Sequence, residues 1–207
     1  VGNMLGPQVL EDWSAAQDKL KAHGAEEVTS GTAPKSSGYA AANTLLKVSG
    51  DTFLKNSPAL QTEAFGPSTL AVLARDEEQM EIVVEALEGN LTGSVYTHSR
   101  DRDDRAYARL EPLLRDRVGR LLNDKMPTGV AVSPAMHHGG PFPAAGHPGF
   151  TSVGIPRSML RFCALQCYDG VRADRLPPEL RDENPTGEMW RVIDGTWTRA
   201  NSTRSMV

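Results

Sequence analysis

Between residues 69 and 122 the hydrophobic pattern switches period four times, and that alternation leaves few folds open. Residues 69–74 read as a buried strand, 77–87 as an amphipathic helix and 91–97 as another strand. Residues 102–114 then read as a charged helix with Ala106, Leu110, Leu113 and Leu114 facing inward and Pro112 able to kink or end it early. A short strand is expected at residues 119–122. Strands joined by helices of this length are crossover units, because parallel neighbours need a connection that returns to the same end of the sheet. The fold class expected is therefore α/β, with a mostly parallel sheet and flanking helices.

The flanks are less regular. Residues 7–22 place Val9, Leu10, Trp13, Ala16 and Leu20 at helical spacing, with Pro7 suited to a first turn and Gly24 to a helix stop. Short strands are expected at residues 26–29 and 44–48, separated by a surface loop over 30–38. Residues 125–154 hold five prolines and six glycines and read as a long ordered loop, though loops of that length are usually either functional or disordered. Residues 161–171 return to a strand-like pattern, and 172–207 read as a peripheral polar tail with a short helix near 188–193. No internal repeat is present.

Composition excludes several function classes. With 39% hydrophobic and 23% charged residues a packed core is expected and wholesale disorder is not. Lys and Arg total 22 against 26 acidic residues, a formal charge of -4 that is the wrong sign for a dedicated nucleic-acid binder. No apolar run approaches the roughly 18 to 20 residues that cross a bilayer, and no secretory leader pattern opens the chain, so a cytoplasmic protein without a membrane partner is expected. Two cysteines, Cys163 and Cys167, do not make a disulfide framework.

The densest cluster of chemistry is Glu63-Ala64-Phe65-Gly66-Pro67, just ahead of the buried strand. It can place an acid and a flat apolar ring together at a cleft rim, or be an ordinary turn whose Gly and Pro serve only conformation. Further along come Glu88-Gly89-Asn90-Leu91-Thr92, Ser94-Val95-Tyr96-Thr97, Gly119-Arg120-Leu121-Leu122-Asn123 and the Gly139-Gly140-Pro141-Phe142 loop. This ordered series resembles the C-terminal half of the aldehyde dehydrogenase superfamily over nearly all of residues 1–171. Pro127-Thr128-Gly129-Val130 followed by His138-Gly139-Gly140-Pro141-Phe142-Pro143, and the tail motif Leu180-Arg181-Asp182-Glu183-Asn184-Pro185, are most similar to the 2,5-dioxovalerate (α-ketoglutaric semialdehyde) dehydrogenases.

The resemblance implies roles only where positions match. Glu63 is implied to accept hydrogen bonds from the ribose of the nicotinamide half of NADP or NAD, a task for an acceptor-only carboxylate, and Phe65 to pack near the nicotinamide ring. Pro127, Thr128, Gly129, Val130 and Phe142 are implied to line the substrate entrance for a small aldehyde. Residues 1–160 would be a partial catalytic domain, 161–171 an oligomerisation strand of a homo-oligomer, and 172–207 the tail. The family's nucleophilic cysteine, general-base glutamate, oxyanion asparagine and nucleotide-binding fold all lie upstream of the Glu63 motif, so Val1 is expected to be an internal position of a longer product. No catalytic residue is assigned within the chain. Cys163 and Cys167 read as reduced packing thiols, and with His137, His138 and His147 they show no recognised metal spacing.

The leading expectation is a C-terminal catalytic-domain segment of an NAD(P)-dependent aldehyde dehydrogenase, unable to turn over aldehyde alone. The alternative is a non-catalytic oligomerisation or interaction module that assembles through residues 161–171. A third reading, a small thiol enzyme using Cys163 or Cys167, requires activity that vanishes when both become serine.

Overall fold

The computed structural model describes residues 3–33, 38–100, 102–127, 129, 133, 136–147, 159, 162–164 and 166–202. Two units are separable, Val1–Phe162 and Cys163–Val207. The first runs β1 (Asn3–Met4), α1 (Pro7–Ala22), β2 (Glu26–Ser30), β3 (Tyr39–Ala40), β4 (Thr44–Ser49), α2 (Gly50–Lys55), α3 (Ser57–Leu60), β5 (Ser68–Leu73), α4 (Glu77–Glu85), β6 (Asn90–Val95), α5 (Asp104–Arg115) and β7 (Val118–Asn123).

The α/β class holds, with the parallel ladder in two pieces. β4 and β5 pair in parallel, Thr44 opposite Ser68 through Ser49 opposite Leu73, and α2 and α3 fill their crossover. β6 and β7 form a second parallel pair crossed by α5. β5 and β6, joined by α4, belong to different ladders. β2 is an antiparallel edge on β4, and its five residues are all exposed, as an edge strand permits. β1 and β3 make a small antiparallel pair.

Local chemistry explains why these elements stop where they do. Pro7 opens α1, and its end is a Schellman closure: Ala25 N donates to Leu20 O at 3.1 Å and Gly24 N to Lys21 O at 3.1 Å. Gly24 has φ +102, the left-handed conformation the motif needs. Ser49 caps α2 by accepting from Thr52 N at 3.2 Å, and Asp76 caps α4 by accepting from Gln79 N at 2.8 Å. Gln79 is buried yet satisfied: its amide donates to Asp51 Oδ1 at 2.6 Å and its carbonyl accepts from Arg75 N at 2.9 Å. Alternate residues of β4 (Thr44, Leu46, Val48) are buried, and Leu46 and Val48 join Leu20, Phe53, Leu60 and Val83 in one apolar cluster. Pro112 does not end α5, because it lies on an exposed face where the unmatched carbonyl of Ala108 meets water. α2 and α3 are not anticipated by sequence periodicity, since helices of one or two turns are too short to display it.

The second unit departs most from expectation. The stretch read as a helix at 188–193 holds instead a hairpin of β8 (Arg191–Ile193) and β9 (Thr196–Thr198), with Ile193 opposite Thr196. Asp194 (φ 49) and Gly195 (φ 78) form the two-residue connection, and both positive φ values match the twist of a tight hairpin. Residues 173–175 and 178–180 form single 3-10 turns. Of the stretch 161–171, Arg161 and Leu165 lie outside the described residues, and 162–164 and 166–171 form no strand inside the single chain. Cys163 and Cys167 are free and exposed there, so the expected packing of both thiols is not found within one chain. Among the described residues no helix is long and apolar enough to cross a membrane.

Candidate functional site

Glu63 to Pro67 form the turn between α3 and β5. Its entry is fixed by Gln61, whose amide donates to Ser57 Oγ at 2.8 Å and to Ala86 O at 3.1 Å while its carbonyl accepts from Glu88 N at 2.7 Å. One side chain thus ties α3 to the turn that leads from α4 into β6. The exit is fixed by the backbone: Ser68 N donates to Gly66 O at 2.8 Å and Thr44 N to Pro67 O at 2.9 Å. Gly66 gives these side chains room, because a Cβ there would lie 2.5 Å from Met4 Cε and 2.5 Å from Trp13 Cδ1 and would force the Trp13 indole to shift.

The turn presents Glu63 and Phe65 to one cavity of about 530 Å³, whose apolar wall includes Met4, Leu5 and Val9. Phe65 is 64% exposed. Among the described residues no hydrogen bond or ion pair engages the Glu63 carboxylate, so its acceptor capacity is unspent inside the chain. An ionised carboxylate beside an exposed ring can accept from paired hydroxyls of a ligand while the ring covers a flat heterocycle. Glu63 also lines a second, larger cleft of about 680 Å³ between the edge of β5, through Leu70 and Val72, and β6, through Leu91 and Thr92.

The loop residues fare differently. Thr128 and Val130 lie outside the described residues. Pro127 and Gly129 are exposed, and Gly129 O accepts from Arg120 Nη1 at 3.3 Å. Phe142 is 80% exposed, and its carbonyl accepts from Gly89 N at 3.2 Å. The backbone of Gly139 lies against Gly119, an approach that leaves no room for a side chain on β7 at that point. The next residues, Pro143 and Ala144, line the same cleft as Glu63. The structure therefore gathers Glu63 and Phe65 on one cavity and brings the end of the Gly139–Pro143 run to the other. Pro127, Gly129 and Phe142 line neither of these cavities. From sequence Trp13 reads only as an apolar helix position, and Met4, Gln61 and Ser68 carry no mark. Met4 and Trp13 reach the turn from a distant part of the chain, and Gln61 and Ser68 flank it without any local motif for the bonds their side chains make.

No family model matches the chain. A curated relative from Azospirillum brasilense, named alpha-ketoglutaric semialdehyde dehydrogenase 2, is 39% identical over 196 residues, 94% of this chain and 36% of the relative. Another from Acinetobacter baylyi, named alpha-ketoglutaric semialdehyde dehydrogenase, is 34% identical over 198 residues, 95% of this chain and 36% of the relative. The chain thus spans 36% of the length of the curated relatives it matches. Among solved structures, an aldehyde dehydrogenase from Bacillus cereus superposes with a TM-score of 0.51 at 19% identity, covering 68% of this chain and 26% of that one. An NAD-dependent aldehyde dehydrogenase from Sinorhizobium meliloti gives a TM-score of 0.50 at 22% identity, covering 68% and 25%. These superpositions speak to fold, and the sequence relatives to descent: the chain belongs, as a segment, to the aldehyde dehydrogenase superfamily.

Proposed function

We propose that the chain is the C-terminal catalytic-domain segment of an NAD(P)-dependent aldehyde dehydrogenase whose substrate is a semialdehyde of the α-ketoglutaric type. The observation that carries the cofactor half of this reading is the unspent Glu63 carboxylate beside the exposed Phe65 ring on one cavity. The names of the two sequence relatives support the aldehyde. When bound, the nicotinamide supplies a hydride acceptor for the substrate carbon. Glu63 accepts hydrogen bonds from the adjacent ribose hydroxyls, and Phe65 covers one face of the ring and keeps water from it. Such contacts fix orientation rather than perform chemistry, and orientation governs how often the reacting atoms meet. The nucleophilic thiol, the general base and the oxyanion donors belong, in this reading, to polypeptide that the relatives carry beyond the matched segment. Cys163 and Cys167 are exposed residues of the other unit and take no part.

Assembly is the second half of the proposal. Phe162 is 86% exposed and Tyr168 43% exposed within residues 161–171, a stretch suited to a strand that gains its partner from another subunit of a homo-oligomer. Light scattering behind a sizing column separates a monomer from an assembly.

The test of the cofactor reading is Glu63→Gln in the complete polypeptide that includes this chain. The substitution keeps the shape and weakens acceptance from two hydroxyls, so nucleotide affinity is expected to fall about tenfold with the fold intact. Unchanged nucleotide affinity in this variant sinks the reading. The chain alone is expected to show no aldehyde oxidation.

A further inference from the structure

The segment Glu63–Phe65 is poorly fixed by its own backbone. The backbone bonds of the turn, Ser68 N to Gly66 O and Thr44 N to Pro67 O, hold only its exit. Among the described residues the hydrogen bond that reaches the Glu63–Phe65 stretch comes from a side chain, Ser68 Oγ, which donates to Ala64 O at 3.4 Å. Ser68 Oγ in turn accepts from Trp13 Nε1 at 3.2 Å. The polarity of this relay is forced. An indole N–H can only donate, and a hydroxyl has one proton to give, so a serine that accepts from Trp13 has its own proton free for Ala64.

Trp13 also packs. Its Cδ1 and Nε1 are among the nearest atoms to the site a Gly66 side chain would occupy. The two residues flanking Phe65 are therefore both held from Trp13, Ala64 through Ser68 and Gly66 by direct contact. Trp13 lies on α1, which is anchored by the buried Ala16 and Leu20 of the same helix. A group set on a rigid helix and supported on both sides holds its neighbours more narrowly than a loop could.

We infer that Trp13 is a positioning residue for the Glu63–Phe65 edge, acting through Ser68 to set where the carboxylate and ring stand on their cavity. The inference rests on the cofactor reading above. It concerns residues that touch no ligand in that reading and act only by holding those that do.

The test uses the complete polypeptide that includes this chain, titrated with reduced nicotinamide nucleotide and followed by the nucleotide's fluorescence. Trp13→Phe keeps most of the ring and removes the donor, and Ser68→Ala removes the relay. Each is expected to raise the dissociation constant about threefold to tenfold, with the melting temperature of Ser68→Ala within a few degrees of the parent and the KM for aldehyde unchanged. Because both lie on one relay, the double variant is expected to be no weaker than the worse single one. Glu63→Gln is run alongside. If Glu63→Gln weakens binding while Ser68→Ala leaves it unchanged, the positioning role is overturned and the cofactor reading stands. If the two single effects add in full, the relay is overturned, since independent sites add. If Glu63→Gln has no effect, the cofactor reading itself has failed. Ser68→Ala carries the test if Trp13→Phe does not fold.

Discussion

The units Val1–Phe162 and Cys163–Val207 hold themselves together by different physics. The first buries Leu20, Leu46, Phe53, Leu60 and Val83 in one cluster under short strands and helices. In the second, Leu176 is the single buried hydrophobic residue among those described, and loops are tied by side chains that bond to backbone carbonyls. Arg191 donates to Arg181 O at 2.6 Å, to Asp182 O at 3.2 Å and to Ala200 O at 2.8 Å. Asn184 donates to Met189 O and to Arg199 O, both at 2.8 Å, and accepts from Thr186 N at 3.3 Å. Apolar burial is non-directional and tolerates any side chain of suitable volume. A hydrogen-bonded clasp is directional and depends on one residue type at one place.

The largest effect should come from the apolar unit. Phe53 is 2% exposed at the centre of its cluster, and Phe53→Ala is expected to cost about 3 to 5 kcal/mol through lost burial and the cavity left behind. Urea unfolding of this chain would measure the loss, and amide exchange would place it in β4 and β5. A cost below about 1 kcal/mol would mean that the cluster is not what holds this unit.

The corresponding attack on the clasp is Asn184→Ala. It removes both donors and the acceptor at once from a half-buried site, and a cost of about 2 kcal/mol is expected. Amide exchange in β8 and β9 should then rise about thirtyfold while β4 and β5 keep their protection. Asn184→Asp sharpens the comparison, since it keeps the size and the acceptor but deletes the two donors. If Asp rescued the hairpin, packing rather than hydrogen bonding would hold the unit, and the contrast between the two units would collapse.

The same difference decides what could be read from sequence. In the apolar unit, helix α1 and strands β4 to β7 were legible to within a residue or two, because burial on one face imposes a period that survives in the amino-acid order. The turn over Glu63 to Pro67 was legible for a related reason: its Gly and Pro fall on consecutive residues just ahead of a strand. The helix expected at 188–193 was wrong although the better signal was present, for Asp194-Gly195 between Ile193 and Thr196 is a hairpin dipeptide. Strands of three residues are too short to show alternation against it. The Asn184 clasp and the Trp13–Ser68 bond leave no period at all; the latter joins residues 55 apart.

The smallest effect tests whether short polar contacts in the apolar unit match those of the clasp. Lys21 Nζ lies 2.7 Å from Glu27 Oε2, a distance as short as any that Asn184 makes, with the two side chains 42% and 41% exposed. Water competes for each charge, added salt screens the pair, and holding two long side chains in one geometry costs entropy. A double-mutant cycle with Lys21→Ala and Glu27→Ala is therefore expected to give a coupling of about 0.5 kcal/mol or less, reduced further in about 1 M salt. Asn184 differs because one half-buried side chain makes three bonds at once, two donated to Met189 O and Arg199 O and one accepted from Thr186 N, with no long flexible chain to immobilise. A Lys21–Glu27 coupling near about 2 kcal/mol would remove the distinction, since distance alone would then predict the strength of a polar contact in either unit.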